Sequence, residues 1–262
     1  MEVIIRPTAD AAAGLVAALV ASSLRQRPRL VLGFATGRTM ERVYALLAHE
    51  HRTAALSFAA VTTFNLDEYI GLPPASPDSY RHYMNEKLFR HIDVDPARTF
   101  LPDGNAADLD AECAAYERRI AESGGIDLQL LGIGGVGHIG FNEPLSALFS
   151  RTRVKALSPQ TIAQNAVMFG GDASRVPRRA ITMGVGTILD CRRCILLATG
   201  HEKAEIIAKA VEGPVTSMIS ASALQLHRRC TVVVDEAAAS SLTQTEYYRW
   251  VFDNEPEWKE FR

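Results

Sequence analysis

With 262 residues, 47% of them hydrophobic and 22% charged, the chain can bury a sizeable core and sits at the upper end of single-domain size. A formal net charge of -2 with scattered basic residues excludes the electrostatic footprint of a nucleic-acid binder, and no lysine-rich run suggests a membrane surface. Cys113, Cys191, Cys194 and Cys230 are too few and too unevenly spaced for a disulfide framework, so a reducing cytoplasm is the expected location and a small molecule the expected partner.

In chain order, "MEVIIRPTAD" is mixed in charge and reads as a short strand. The alanine-rich 11–21 that follows has the length of a signal-peptide core. It reads instead as a helix capped by Thr8 or Asp10, too short to span a bilayer. Apolar, β-branched runs then alternate with helical spacing. Strands are expected at 29–35, 60–66, 126–134, 180–186, 194–200 and 230–235, and helices at 39–52, 108–123 and 202–213. That alternation predicts an α/β fold, a largely parallel sheet with helices on both faces. No repeat or long linker divides the chain, so 1–262 is expected to be a single domain. Cys191 and Cys194 form a CxxC without a second Cys or His pair at zinc spacing, and read as structural cysteines at a strand start.

In an open parallel sheet, ligands bind beyond the carboxyl ends of the strands. "ATGRTM" leads from a strand through Thr36, Gly37, Arg38 and Thr39 into a helix, offering free N–H groups and hydroxyls to an anion, or simply a turn and cap. It lacks both common nucleotide fingerprints. "TGHEK" repeats the arrangement, and Lys203 in a first helical turn opposes the helix dipole unless it meets an anion. "NLDEY" puts Asp67 and Glu68 after an apolar strand, where adjacent side chains point oppositely and only one readily faces the cleft. A carboxylate there can move protons between substrate carbons, or can cap a helix. "GIGGVGHIGFNEP" brings a flexible glycine loop to His138 and Glu143, a titratable pair outside any helical metal-binding register.

Together, "TFNLDEYIGLP", "GHIGFNEP", "SRTRVKAL", "AITMGVGTILD" and "AVEG" resemble the glucosamine-6-phosphate deaminase family, also called glucosamine-6-phosphate isomerase, from the first strand to about residue 235. The resemblance implies a Rossmann-like α/β fold and conversion of an aminosugar 6-phosphate into a ketose 6-phosphate and ammonia, with no metal or organic cofactor. The residues fit that reaction, with Asp67, matching the family's base, His138 and Glu143 expected in catalysis, and Thr36, Gly37, Arg38, Thr39 and Lys203 expected to hold the phosphate. Family members occur as monomers, trimers and hexamers, so a homo-oligomer is compatible with it. Some carry an allosteric site, matched here by Ser146, Arg153 and Lys155, with Ala156 in place of a frequent threonine.

Three departures stand out. Val136 replaces the Asp or Asn that completes a His–carboxylate relay, and valine accepts no hydrogen bond. Val167 stands where an arginine usually grips the phosphate, removing a planar bidentate donor. "ATGRTM" has Arg38 where small residues are usual and Met40 where proline is common; the expectation is that Arg38 restores the missing charge. Other readings left open are the same chemistry on galactosamine 6-phosphate, a 6-phosphogluconolactonase-like hydrolase, and a sugar-phosphate binder that has lost catalysis.

Overall fold

The computed structural model describes residues 1–262. Ten strands are β1 (Glu2–Arg6), β2 (Val31–Phe34), β3 (Thr62–Asn65), β4 (Asp67–Tyr69), β5 (Thr99–Phe100), β6 (Leu128–Leu131), β7 (Arg153–Ala156), β8 (Arg179–Thr182), β9 (Cys194–Ala198) and β10 (Cys230–Asp235). Eight α-helices are α1 (Ala9–Gln26), α2 (Arg38–Ala54), α3 (Tyr80–Lys87), α4 (Leu109–Glu122), α5 (Pro159–Asn165), α6 (Val185–Leu189), α7 (Ala204–Val211) and α8 (Thr245–Asn254). No helix is long and apolar enough to cross a membrane.

Seven strands form a wholly parallel sheet in the order β1-β10-β9-β6-β2-β3-β5. The chain steps from β2 to β3 and β5, then returns to the other side of β2 with β6, β9 and β10. The sheet therefore has its topological switch point between β2 and β6, where a crevice opens at the carboxyl ends. β2, β3, β6, β9 and β10 are buried throughout, which explains continuous apolar runs in place of alternation. Helices α1 and α2 pack together, and right-handed crossovers put α4 and α7 on the opposite face from them. The main core is one continuous cluster of 69 residues.

Two sequence expectations need adjustment. Residues 180–186 do not extend the parallel sheet: β8 is the centre of a second, three-stranded antiparallel sheet, paired with β4 and β7. A short apolar run with no crossover helix on each side is equally suited to either sheet, and pairing decides. The helix expected at 202–213 begins as a tight 3-10 turn at His201–Lys203 and becomes α-helical only at Ala204. Of the two capping candidates for α1, Thr8 is the one used, its hydroxyl accepting from the Ala11 N–H. Cys191 and Cys194 both lie in the core.

Candidate active site

Asp67 follows β3 by two residues and opens β4, so the chain switches sheets at this point. The register holds the switch: Leu66 bonds to the Phe34 carbonyl of the main sheet and accepts from the Met183 N–H beyond β8. Asp67 and its neighbour face opposite ways. Glu68 is the capping carboxylate, accepting from the N–H groups of Tyr69 (2.8 Å), Tyr80 (3.0 Å) and Arg81 (2.9 Å) at the start of α3. Asp67 is 5% exposed and receives no comparable support. Burial, and then the Glu68 charge, push its carboxyl up to about 8. A carboxyl so placed is poised to exchange protons near neutral pH.

The glycine loop after β6 lies across from it. A side chain at Gly140 would meet the Thr182 hydroxyl at 2.8 Å and the Asp67 carboxylate at 3.4 Å, so this backbone passes directly over the carboxylate. Thr182 pins the loop by accepting from the Phe141 N–H at 3.0 Å, and Asn142 ties it to the carbonyls of Ile139 and Met183. Gly134 has a steric reason: a Cβ there would fall 2.0 Å from His138 Nε2. The loop therefore wraps the imidazole with backbone alone.

His138 and Glu143 are both buried. The His138 Nδ1 lies 3.8 Å from the nearer Glu143 oxygen, beyond hydrogen-bond reach, and finds no other partner. Val136, two residues before His138, has no side-chain acceptor to offer. Burial lowers the imidazole pKa, with Lys203 adding to the effect and Glu143 opposing it. The ring is thus neutral at physiological pH. Glu143 is held by a residue that sequence reasoning missed: Ser158 donates from its N–H (3.0 Å) and its hydroxyl (3.1 Å) to the two carboxylate oxygens. Ser158 is also the N-cap of α5. The signal was present in "SPQT", a capping serine followed by proline at the first helical position.

The two anion-loop candidates meet at the same edge, beyond β2 and β9. Gly37 and Gly200 have φ of 117° and 94°, a region that glycine alone adopts easily, and each stands just before a helical turn. Tyr83 donates to the Gly37 carbonyl at 2.8 Å, while Asp235 accepts from the Gly200 N–H at 3.0 Å, so both turns are fixed from behind. Lys203 is half-buried and donates to the Ile133 carbonyl of the glycine loop at 2.9 Å. Its pKa is lowered, first by burial and further by the charge of Arg38, against the pull of Glu202. Arg38 on one loop thus acts on Lys203 on the other. Two cations that repel one another across an open edge attract an anion between them.

Thr36 and Thr39 flank the first turn and are partly exposed. Val167 is 62% exposed in a 3-10 turn after α5. Ser146 is buried beyond Glu143, whereas Arg153 and Lys155 sit on β7 at the edge of the small sheet; the Ser146 hydroxyl and the Arg153 Nη2 have no partner. No cluster of three or more His, Cys, Asp or Glu side chains is arranged as metal ligands would be.

A parallel sheet whose carboxyl edge carries a perturbed carboxylate, a buried imidazole–carboxylate pair and two cationic helix turns has the layout of an α/β enzyme. Comparisons give the class a family. Residues 6–233 match the profile of glucosamine-6-phosphate isomerases/6-phosphogluconolactonase. A glucosamine-6-phosphate deaminase of Streptomyces coelicolor is 49% identical over 259 residues, 99% of each chain. One of Cellvibrio japonicus is 51% identical over 251 residues, covering 96% of this chain and 95% of its own. Among solved structures, a monomeric glucosamine-6-phosphate deaminase superposes with TM-score 0.90 at 46% identity, over 92% of this chain and all of the other. A 6-phosphogluconolactonase from Trypanosoma brucei shares the fold at TM-score 0.76 and 21% identity, over 92% of this chain and 98% of its own. The chain belongs to the glucosamine-6-phosphate isomerase/6-phosphogluconolactonase family.

Proposed function

We propose that this protein converts glucosamine 6-phosphate into fructose 6-phosphate and ammonia. The observation that carries the reading is Asp67: a buried carboxylate without a hydrogen-bonding partner, raised to about 8, beneath a glycine loop that also holds an imidazole.

The closed sugar must first open, which requires a proton at the ring oxygen and loss of one from the anomeric hydroxyl. His138, steadied by Glu143 and through it by Ser158, is the group suited to relay that proton. In the open aldehyde, Asp67 as carboxylate takes the proton from C2, the electron pair moves into a C1–C2 double bond, and the C1 oxygen gains a proton as the substrate ammonium loses one, giving a neutral enolamine. Asp67 then returns the proton to C1, leaving an iminium at C2. Water adds to that carbon, the C–N bond breaks, and ammonia departs from the ketose phosphate. The proton transfers at carbon use Asp67, and four free, buried cysteines suit a reducing cytoplasm.

Thr36, Gly37, Arg38, Thr39 and Lys203 would hold the phosphate, setting the distance to the reacting carbons with binding energy remote from the chemistry. Arg38 takes over the charge that Val167 cannot supply. The test is incubation of the purified protein with glucosamine 6-phosphate and, separately, galactosamine 6-phosphate, measuring ammonia and ketose phosphate. Ammonia and fructose 6-phosphate from the first support the proposal. Turnover of the second alone would reassign the epimer. Hydrolysis of 6-phosphogluconolactone without deamination of either sugar would overturn the reading.

A further inference from the structure

A second cavity lies at the opposite end of the parallel sheet. It measures about 480 Å³, within the range of small-metabolite sites. Its wall carries four guanidinium groups, Arg27, Arg192, Arg193 and Arg229, against the carboxylates of Asp127, Glu257 and Glu260. Strand register places them. Gln129 of β6 bonds to the Arg193 carbonyl and Cys194 of β9 bonds to the Arg229 carbonyl, so Arg193 and Arg229 stand side by side just ahead of β9 and β10.

The charges fall into two sets. Asp127 is buried and already engaged: it accepts from the Val31 N–H (2.9 Å), from Arg27 (3.2 Å) and from Arg192. Arg27 also sits at the C-cap of α1, where it offsets the negative end of the helix. The other set is less complete. Arg193 has a side chain only 12% exposed and lies 3.3 Å from Glu257, which Arg229 reaches at 2.7 Å. One carboxylate thus serves two guanidiniums. The Arg193 Nε has no acceptor at all, and its guanidinium lies over the Trp258 ring at 5.9 Å. Glu257 itself belongs to the last turn of the chain, Pro256–Phe261, outside the parallel sheet.

We infer that this cavity is an anion site for inorganic phosphate or a small phosphate monoester, in which two arginines share the Glu257 carboxylate of the C-terminal turn and the buried Arg193 Nε is left without an acceptor. Paired guanidiniums present planar forks that match phosphate oxygens. Because the site lies at the amino ends of the strands, it is separate from the crevice at their carboxyl ends. A phosphate bound there would contact Arg229 and Arg193 beside the C-terminal turn that carries Glu257 and Trp258.

Equilibrium dialysis with labelled inorganic phosphate at fixed ionic strength tests this, using the full chain with Lys203→Ala to disable the carboxyl-end loops. That variant is expected to retain one phosphate per chain. Adding Arg229→Gln should weaken it by about tenfold or more, as loss of a charge-assisted hydrogen bond does, whereas Arg192→Gln, whose guanidinium is engaged by Asp127, should weaken it less; both side chains are more than half exposed, so folding should survive. In Trp250→Phe protein, Trp258 becomes the sole tryptophan, and its emission should change along the same binding curve. Absence of bound phosphate in Lys203→Ala, or binding that Arg229→Gln leaves unweakened, would overturn the inference.

Discussion

Two buried aspartates at opposite ends of the parallel sheet, Asp127 and Asp67, are treated in opposite ways. At the amino end, Asp127 is saturated by a backbone N–H and two arginines. At the carboxyl end, Asp67 and the His138 Nδ1 are buried with no such partner. An unpaired buried polar group costs stability, and a fold retains such a cost where the group has work to do. Satisfied charge holds the frame together, and unsatisfied charge is available to a substrate.

The most severe way to break this contrast is Asp67→Asn. The amide fits the same space but cannot take a proton, so kcat should fall by about 10³-fold, within the range of general-base removal, in a steady-state ammonia assay. The same variant should melt higher than the parent above pH 8. A carboxyl raised from 3.8 to about 8 binds its proton more tightly in the folded state. Its favourable contribution is therefore complete below about 4 and is lost as pH rises through about 8; the asparagine does not lose it. Thermal melts from pH 5 to pH 9 follow the widening gap.

Titration sharpens the same point. Because Asp67 must be ionised to act as a base, kcat/KM should climb with pH through an acid limb near 8 and lose that limb in no variant that leaves Asp67 and Glu68 in place. Substrate carrying an ammonium group favours the ionised form, so the limb in kcat should lie lower.

Smaller effects are expected at the edge. Arg38→Ala should raise KM about tenfold with kcat little changed, the signature of lost uniform binding; an unchanged KM would remove Arg38 from the phosphate site. Val136→Asp supplies the acceptor that the His138 loop lacks, and should raise kcat by about threefold, a fraction of the 10²-fold or more at stake in acid–base catalysis. At the saturated carboxylate, Asp127→Asn should leave kcat within about twofold. It should cost about 1–2 kcal/mol in urea unfolding, a discounted value because both arginine partners are more than half exposed.

Some of this site was legible in one dimension. The carboxylate pair after β3 was readable, including that only one member could face the crevice, because extended neighbours must diverge. Which member did so was not, since the choice depends on α3 presenting its first N–H groups to Glu68. Ser158 left a capping signature in the sequence, yet its hold on Glu143 spans 15 residues and two elements. Nothing in local spacing encodes that meeting.

The sequence alone determined the α/β class, the buried strands and the glycine turns, because hydrophobic period and backbone freedom are local properties. It also carried the family's motifs and the two valines that depart from them. Only the tertiary structure decided that β8 leaves the parallel sheet, that the charge of Arg38 reaches Lys203 on a second loop, and that Asp67 is desolvated enough to stand near 8. Strand pairing, burial and field depend on what the rest of the chain brings alongside, and those neighbours are fixed only when the whole core closes.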